Sequence, residues 1–371
     1  MPLVFWIFTS CNNKTAPIIE YTYCEDTISE VSYANVSGFY EDTSGIYCYF
    51  KPYGLDTVFL FKENELGHFV LDASFKIPAF YKTFAEIDEI SQVVFINKDS
   101  LILFHPHNIT LWDIKQDSLV ANYYHSDFDT SYRFLFDRGT WQLEWNSHRK
   151  TLLLFLIDYS DKPNRKWICD TKYLAEFSFE KMDISIVPLK YPFSLYNDIL
   201  LLSSTPYEDP LFTFNGDTIV TAFPLGQTMC IYDIKNNHTD SLEVKERWYI
   251  PIPRPDTARI RKISHPNYLF ESALENNYFD AVEYDKYNDV YYRFFQKALP
   301  KKNEKGLLNT DEDKIYGVTV LDKGLKMIGS ATWKANRFGF YYPTSKGLYS
   351  LKSLANNSSI IVRKIKLHYE K

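Results

Sequence analysis

Four residues within one short stretch form the best-defined candidate binding site of this chain. Tyr284, Asp285, Tyr292 and Arg293 combine aromatic rings with one carboxylate and one guanidinium group. Alternate residues of an extended strand share a face, so Tyr292 and Arg293 should point to opposite faces. An arginine flanked by aromatic rings can clamp a carboxylate or a sulfate, or stack on a sugar ring. The competing interpretation is a structural ion pair of Arg293 with Asp285 or Asp289 across a turn.

Histidine and aspartate residues in two neighbouring segments raise the question of a metal site. His105-Pro106-His107 places two imidazoles close together, and His125 follows with Asp127 and Asp129. Imidazole and carboxylate are ligands that suit transition metals. The spacing provides no third ligand, however, and Pro106 is explained equally well by a turn. We therefore predict no metal site here.

The segment that begins at Asp127 also starts like a calcium-binding loop. Oxygen-bearing side chains recur in it as far as Ser131. An EF-hand needs glycine at the sixth position and glutamate at the twelfth, where this chain has Tyr132 and Arg138. A solvated loop is the simpler interpretation, and no metal or cofactor is predicted.

Catalytic motifs are missing from the sequence. It contains no G-x-S-x-G nucleophile motif and no glycine-rich phosphate loop, and it has only 13 glycines. No spacing of carboxylates singles out a glycosidase-like pair. A basic cluster, formed by Arg254, Arg259, Arg261 and Lys262, could attract an anionic ligand or simply form an exposed face. No catalytic residue is therefore predicted.

Composition favours strands and argues against nucleic-acid binding. Aromatic residues make up 17% of the chain, mostly 29 tyrosines and 28 phenylalanines, and such residues pack well on a half-buried pleated surface. The formal net charge is −6, and acidic and basic residues are spread without long blocks. Nucleic-acid-binding domains usually present a clustered basic face, so DNA and RNA are not expected partners.

The N-terminus has the order of a bacterial lipoprotein signal. An apolar run at residues 3–8 precedes two small residues, Cys11 and a polar tail. In such a signal a peptidase cuts before the cysteine, whose thiol then carries the lipid. A secretory leader normally opens with positive charge, which is missing here, so a start upstream of Met1 and a buried N-terminal strand remain alternatives. We predict a signal peptide at 1–10, lipidation of Cys11 with membrane contact through that lipid, and a tether at 11–25.

One supersecondary unit recurs along the chain. Residues 97–104 and 215–222 each contain a polar turn followed by a β-rich strand, and a second strand then ends in aromatic-Asp-Ile-Lys, at 112–115 and 232–235. Asn, Gly and Asp tolerate the positive φ of tight connections. With looser copies, the repeat starts fall near positions 45, 97, 146, 215, 288 and 336. Self-similar four-stranded units of about this spacing are typical of a β-propeller.

The repeats predict an all-β protein with a single six-bladed β-propeller at 26–371. Seven blades remain an alternative, and a β-sandwich is disfavoured because it needs no internal repeat. Short helical insertions are predicted at 79–89 and 269–279. The last aliphatic strand, at 360–367, is expected to close the ring beside an N-terminal strand, which removes an exposed sheet edge.

The last third of the chain resembles a known family. Residues 284–294, Tyr-Asp-Lys-Tyr-Asn-Asp-Val-Tyr-Tyr-Arg-Phe, are similar to the most recognisable stretch of a family of Bacteroidetes lipoproteins with a domain of unknown function. Residues 344–349, the terminal strand and the Cys11-Asn12-Asn13-Lys14 start are similar as well. The resemblance implies a lipoprotein with a TolB-like six-bladed propeller. It implies no activity, because the family has none assigned.

The expected function is therefore binding at the cell envelope of a Gram-negative bacterium. The protein should be anchored at the outer membrane, on its periplasmic side or exposed at the surface. A propeller presents loops around a central channel, and the aromatic composition suits recognition of a glycan or an envelope protein. The alternative is a propeller hydrolase or lyase with its site at the channel. Fold alone does not decide between them.

Overall fold

The computed structural model describes most of the chain. The described residues are 17–29, 34–52, 55–77, 92–105, 108–124, 132–134, 143–158, 172–190, 210–246, 274–310, 313–334, 341–353 and 359–369. Cys11 lies outside these ranges, so its lipidation stays a prediction.

The described residues contain twenty-five strands in six antiparallel sheets. In chain order the strands are β1 (Glu20–Ser29), β2 (Ala34–Asp42), β3 (Gly45–Pro52), β4 (Thr57–Glu63), β5 (Phe69–Lys76), β6 (Gln92–Asn97), β7 (Ser100–His105), β8 (Asn108–Asp113), β9 (Ser118–Tyr124), β10 (Tyr132–Phe134), β11 (Glu144–Asn146), β12 (Thr151–Asp158), β13 (Lys172–Ser178), β14 (Asp183–Lys190), β15 (Leu211–Asn215), β16 (Thr218–Ala222), β17 (Thr228–Asp233), β18 (His238–Glu243), β19 (Tyr278–Asp285), β20 (Val290–Lys297), β21 (Ile315–Leu321), β22 (Met327–Lys334), β23 (Tyr341–Thr344), β24 (Gly347–Ser353) and β25 (Ser359–His368). Blades 1 to 6 consist of β2–β5, β6–β9, β10–β14, β15–β18, β19–β22, and β23–β25 with β1. The prediction of an all-β, six-bladed propeller is confirmed.

The six blades form a ring around one axis. The innermost strands β2, β6, β11, β15, β19 and β23 each contact the innermost strand of both neighbouring blades. Each of the six buried hydrophobic clusters in the described part of the chain lies between two neighbouring blades. A single blade cannot bury both of its faces alone, so every blade depends on its neighbours for stability.

An N-terminal strand closes the ring, as predicted. β1 pairs with β25 in antiparallel register from Glu20↔His368 to Ser29↔Ser359, and it thereby becomes the outermost strand of blade 6. Strands from the two ends of the chain therefore pair within one sheet, so the ring closes through residues that are far apart in the sequence.

The chain joins the ring before the predicted end of its tether at residue 25. Ile19 N donates a hydrogen bond to Ser330 O at 2.8 Å, and Ser330 N donates to Pro17 O at 3.0 Å. Ile19 is buried, and β1 begins at Glu20. Residues 17–25 thus belong to the folded ring, because backbone pairing with blades 5 and 6 fixes them.

The two ends of the ring are built differently. At the end that we call the turn end, first strands turn into second strands and third strands into fourth, and no connection exceeds five residues. At the opposite end, the loop end, the connections include 77–91, 159–171, 191–210, 244–277 and 298–314. The five longest connections between strands therefore all join strand ends at the loop end.

A side chain at the end of the first strand caps the first turn in most blades. It accepts a hydrogen bond from a backbone N–H of the turn in blades 1, 2, 3, 5 and 6, where the capping residues are Asp42, Asn97, Asn146, Asp285 and Thr344. Such side chains offer the backbone a local partner that favours a turn. This is the physical basis of the repeat visible in the sequence.

Two predicted details need correction. The sixth repeat start was placed near 336, but the equivalent turn connects β23 to β24 between Thr344 and Gly347. The helix predicted at 269–279 is reduced, among the described residues, to Leu274 and Glu275, and Phe279 already lies in β19. The extended pairing of β19 with β20 overrides the local helical preference. The helix predicted at 79–89 falls outside the described residues.

Candidate functional site

Two glutamates from different blades meet on the innermost strands. Glu144 lies on β11 and Glu283 on β19, and the carboxyl group of Glu283 interacts with that of Glu144. β15 lies between these strands and contributes Thr213, whose side chain also interacts with Glu144, and Phe214, whose N–H donates to Glu144 Oε2 at 2.6 Å. Thr213 Oγ1 accepts a further hydrogen bond from Tyr284 N at 3.0 Å. The site therefore joins blades 3, 4 and 5.

Burial favours the protonated form of Glu144. An ionised carboxylate only accepts hydrogen bonds, so Glu144 and Glu283 can bond each other only while one of them is protonated. Burial raises the pKa of the Glu144 carboxyl to about 8, since desolvation disfavours the charged form. Both side chains are only partly buried, so water still reaches them. A proton held in this way can be donated to a bound molecule.

The sequence spacing did not reveal this pair because its members are far apart in the chain. Each glutamate stands two residues before the capping residue of its blade, and Thr213 stands two residues before the end of β15. Alignment of the repeats on their first turns therefore superimposes Glu144, Thr213 and Glu283, and this is the signal that could have found them. The equivalent residues in blades 1, 2 and 6 are aromatic: Tyr40, Phe95 and Tyr342.

Asp285 and Tyr292, from the predicted binding stretch, serve the first turn of blade 5. Asp285 is 2% exposed and accepts hydrogen bonds from Tyr287 N at 2.8 Å and Asn288 N at 3.0 Å. The Tyr292 hydroxyl donates to Asp285 Oδ2 at 2.8 Å and also contacts the Tyr369 hydroxyl at 3.0 Å. Burial, followed by the charge of Asp285, raises the pKa of the Tyr292 hydroxyl. The carboxylate therefore stabilises the turn and the adjoining strand.

Arg293 and Tyr284 lie apart from each other in this blade. Arg293 is fully buried, with its guanidinium 3.3 Å from the centre of the Phe279 ring and one N–H donated to Gly226 O. Tyr284 is partly exposed, and its hydroxyl donates to Asp289 Oδ1 at 2.7 Å. Of the four predicted residues, only Tyr284 offers surface to a ligand without rearrangement. Ligand binding by this stretch stays a prediction.

The other sequence candidates fall largely outside the described residues. These are Cys11, His107, His125, Asp127, Asp129, Arg254, Arg259, Arg261 and Lys262. Across the described ranges, no three His, Cys, Asp or Glu side chains group as metal ligands. Within the same ranges, no helix is long and apolar enough to span a membrane.

Comparison with protein families gives one match. The model of a family described as "Domain of unknown function (DUF4221)" matches residues 77–331, which is more than half of the chain. No curated protein matches the chain.

Two solved structures share the fold. A member of the DUF4221 family from Bacteroides vulgatus has a TM-score of 0.65 and 13% identity, covering 96% of this chain and 100% of its own. A Bacteroides fragilis protein, named as a candidate exported protein, has a TM-score of 0.51 and 12% identity, covering 95% of this chain and 96% of its own. At such identities the likeness shows the fold alone.

Proposed function

Because the chain belongs to the DUF4221 family, whose function is unknown, we propose that it is a lipid-anchored envelope protein that binds a glycan or a protein partner. The observation that carries the proposal is the unequal construction of the two ends of the ring. The turn end has only short connections, and the loop end carries the long ones.

The turn end is bonded from blade to blade. Asn146 Nδ2 donates to Gly216 O at 2.7 Å, which joins blades 3 and 4. Asn215 Nδ2 donates to the Tyr291 hydroxyl at 3.1 Å, which joins blades 4 and 5. Blades 6 and 1 are joined by Ser345 N, which donates to a carboxylate oxygen of Glu41 at 2.8 Å. These contacts use the polar groups of the turns within the ring.

The loop end has the construction of a binding surface. Binding residues are disproportionately found on loops that a rigid scaffold positions. The longest connection, 244–277, contains the basic cluster with Arg259 and Arg261. This placement favours recognition of a partner at the loop end, with an anionic group in contact with the cluster.

Two observations support a place in the envelope. The first is the order of residues around Cys11, and the second is the name of the Bacteroides fragilis structure as a candidate exported protein. Six residues separate Cys11 from Ile18, where the chain pairs with blade 5. A lipid on Cys11 would therefore hold the ring close to the membrane.

The anchor is tested by labelling cells with palmitate in the presence and absence of globomycin, which blocks lipoprotein processing. Labelling and globomycin-sensitive maturation are expected for the wild type and neither for Cys11→Ala. An unlabelled wild type in the cytosol would contradict the anchor.

Partner recognition is tested with a glycan array and purified protein. Selective binding is expected, with a loss of at least about tenfold for Arg259→Glu with Arg261→Glu. The matched control is Lys115→Glu with Lys181→Glu, two exposed lysines of the turn end. An equal loss in both variants would reject the loop end as the binding surface. A blank array would reject the glycan and leave a protein as the proposed partner.

The carboxyl pair favours a second candidate function, that of a hydrolase or lyase acting on a substrate in the channel. Burial raises the pKa of Glu144 to about 8 beside the carboxyl group of Glu283, and general acid and base catalysis uses pairs of carboxyl groups whose pKa values differ. Polysaccharides incubated with the protein should then release reducing ends or unsaturated sugars. Activity that survives both Glu144→Gln and Glu283→Gln would exclude the pair as its source.

A further inference from the structure

Three carboxylates bond blade 6 to blade 1 at the turn end of the ring. We call the contact between these two blades the closing seam, because β1 and β25 from the two ends of the chain lie beside it. Asp26 Oδ2 accepts a hydrogen bond from Phe69 N at 2.8 Å, and Glu41 accepts from both the N–H and the hydroxyl of Ser345. The third carboxylate is Glu63 of blade 1. Each of these bonds joins a carboxylate of one blade to a donor of the other.

Glu63 is the most deeply buried of the three. It ends β4, and its side chain is 1% exposed. Its Oε2 accepts a hydrogen bond from Lys346 Nζ at 2.7 Å, and its Oε1 accepts from the Tyr349 hydroxyl at 2.7 Å and from Lys364 Nζ at 3.2 Å. These donors belong to the first turn, to β24 and to β25 of blade 6. One carboxylate of blade 1 therefore binds three different elements of blade 6.

Protonation of Glu63 removes the negative charge that these donors face. Lys346 and Lys364 then keep their positive charges without this partner, although the Lys364 side chain is only 17% exposed. Loss of one member of a buried charged pair is strongly destabilising, because the other charge stays buried. The bonds across the closing seam therefore depend on the ionised form of Glu63.

The pH range of this dependence follows from the surroundings of Glu63. Burial favours its protonated form, but the hydrogen bonds from Lys346 and Tyr349 and the charge of Lys364 outweigh burial and hold its pKa below the ordinary value of 4.5. A lowered pKa in the folded state means that the stabilisation is complete above about pH 4.5 and is lost as the pH falls through the folded value.

The other two carboxylates also lose their charge in acid. Asp26 Oδ1 contacts His68 Nδ1 at 3.1 Å, and the thiol of Cys48 lies near it as well. A protonated His68 strengthens its pair with Asp26, so that this bond is lost only when Asp26 itself gains a proton. Glu41 interacts with the hydroxyl of Tyr287 from blade 5, which stays neutral in acid. No group that faces these carboxylates becomes negative as the pH falls.

Other seams contain bonds that acid does not remove. The Tyr49 hydroxyl donates to Val93 O at 2.8 Å between blades 1 and 2, and Asn146 donates to Gly216 O between blades 3 and 4. Across the closing seam, the neutral bond from the Tyr342 hydroxyl to Ser37 O is 3.5 Å long and therefore weak. Protonation of carboxylates should thus weaken the closing seam more than these other seams.

We propose that the closing seam is an acid-sensitive closure of the ring, with Glu63 as its central group. The three carboxylates hold blades 6 and 1 together at neutral pH, and their protonation lets the two blades separate while each sheet keeps its own strand pairing. Separation uncovers the hydrophobic cluster between these blades, so the whole ring also loses stability. The proposal depends neither on the envelope location nor on a bound partner.

Hydrogen–deuterium exchange of the full chain tests the proposal at about pH 7 and about pH 4, with labelling times scaled to the intrinsic exchange rates. In the wild type, amides of β4 and β24 should lose protection at least about tenfold relative to those of β12 and β16 when the pH falls. Glu63→Gln should show this loss already at neutral pH and little further loss in acid, because glutamine does not ionise. Lys346→Gln, which removes one partly exposed donor, should show a smaller loss in the same strands.

The matched control is Glu176→Gln. Glu176 is also buried and accepts from Arg149 Nε at 2.7 Å and from the Thr151 hydroxyl at 2.5 Å, but all three residues belong to blade 3. This variant should leave exchange at β4 and β24 unchanged at neutral pH. Acid exchange that rises equally in all blades of the wild type would overturn the proposal, and this measurement needs no variant to fold. Protection of β4 and β24 in Glu63→Gln equal to that in the wild type at neutral pH would overturn it as well.

Discussion

Buried carboxyl groups serve two different purposes in this ring. Asp285 accepts hydrogen bonds from the turn backbone and from a tyrosine hydroxyl, so both of its oxygens are used within the blade. Glu144 accepts one backbone N–H and lies beside a second carboxyl group, and burial raises its pKa to about 8. The first arrangement stabilises a turn, whereas the second favours the protonated form of Glu144.

Glu144→Gln tests the proton at this site. The pKa of Glu144 is raised in the folded protein from an ordinary value of 4.5 to about 8. Its contribution to stability is therefore complete below about pH 4.5 and is lost as the pH rises to about 8. Glutamine cannot ionise and still accepts from Phe214 N. The free energy of unfolding of the wild type should fall relative to the variant by about 1 kcal/mol or more between about pH 5 and pH 8.

Denaturant titration at the two pH values measures this difference. The control is Glu304→Gln, the same substitution at an exposed glutamate outside the pair. A constant difference between wild type and Glu144→Gln across this range would show that Glu144 is ionised throughout.

At the scale of the elements, all the turns of the turn end except the one between β6 and β7 contain a residue with positive φ or are followed by one. Gly216 and Asp289 occupy such conformations in first turns, at φ of 60° and 61°. In the turns between third and fourth strands, Asp117 and Asn237 stand at the same place with φ of 48°. Both copies of the Asp-Ile-Lys repeat therefore end in the same backbone geometry, which aspartate and asparagine adopt more readily than most residues.

Substitutions of two glycines at first turns would distinguish the cost of backbone strain from the cost of a steric clash. Gly216 has φ of 60° and no atom within 4 Å of the position of a Cβ. Gly347 has φ of 132°, and a Cβ there would lie 2.6 Å from Ile365 O. Gly216→Ala should cost about 1 kcal/mol from strain alone, and Gly347→Ala about 3 kcal/mol or more. Equal losses in thermal unfolding experiments would refute this distinction.

At the scale of the whole molecule, stability depends on closure of the ring. The clusters between blades are each built from two sheets, and the cluster between blades 6 and 1 includes Ile28 of β1. Loss of β1 would expose β25 and one side of this cluster. Damage to a terminal strand should therefore destabilise the whole ring rather than fray one end.

Adjacent residues of β1 test this dependence. Ile28 is 4% exposed and Thr27 is exposed on the other face of the strand. Ile28→Asp should lower the free energy of unfolding by about 3 kcal/mol or more, because it buries a charge among apolar side chains. Thr27→Asp should change it by less than about 0.5 kcal/mol. Calorimetry would contradict closure as the source of stability if both variants melted like the wild type.

The sequence by itself determined the strands, the repeat and the closing strand. Local rules govern these features: turn residues such as Asn97 and Asp285 cap their own turns, and aromatic residues favour strands. The same local rules misplaced the sixth repeat, because polar residues near 336 resemble those of a turn, whereas the equivalent turn lies between Thr344 and Gly347.

Only the tertiary structure decided which polar residues meet. Arg293 looked available for a ligand, but the neighbouring blade covers it and supplies the Gly226 carbonyl. Glu144 and Glu283 looked unrelated, but ring closure brings equivalent positions of blades 3 and 5 together across β15. Contacts between blades join residues far apart in the chain, so local spacing carries no record of them, whereas strands and turns are set by neighbours in sequence.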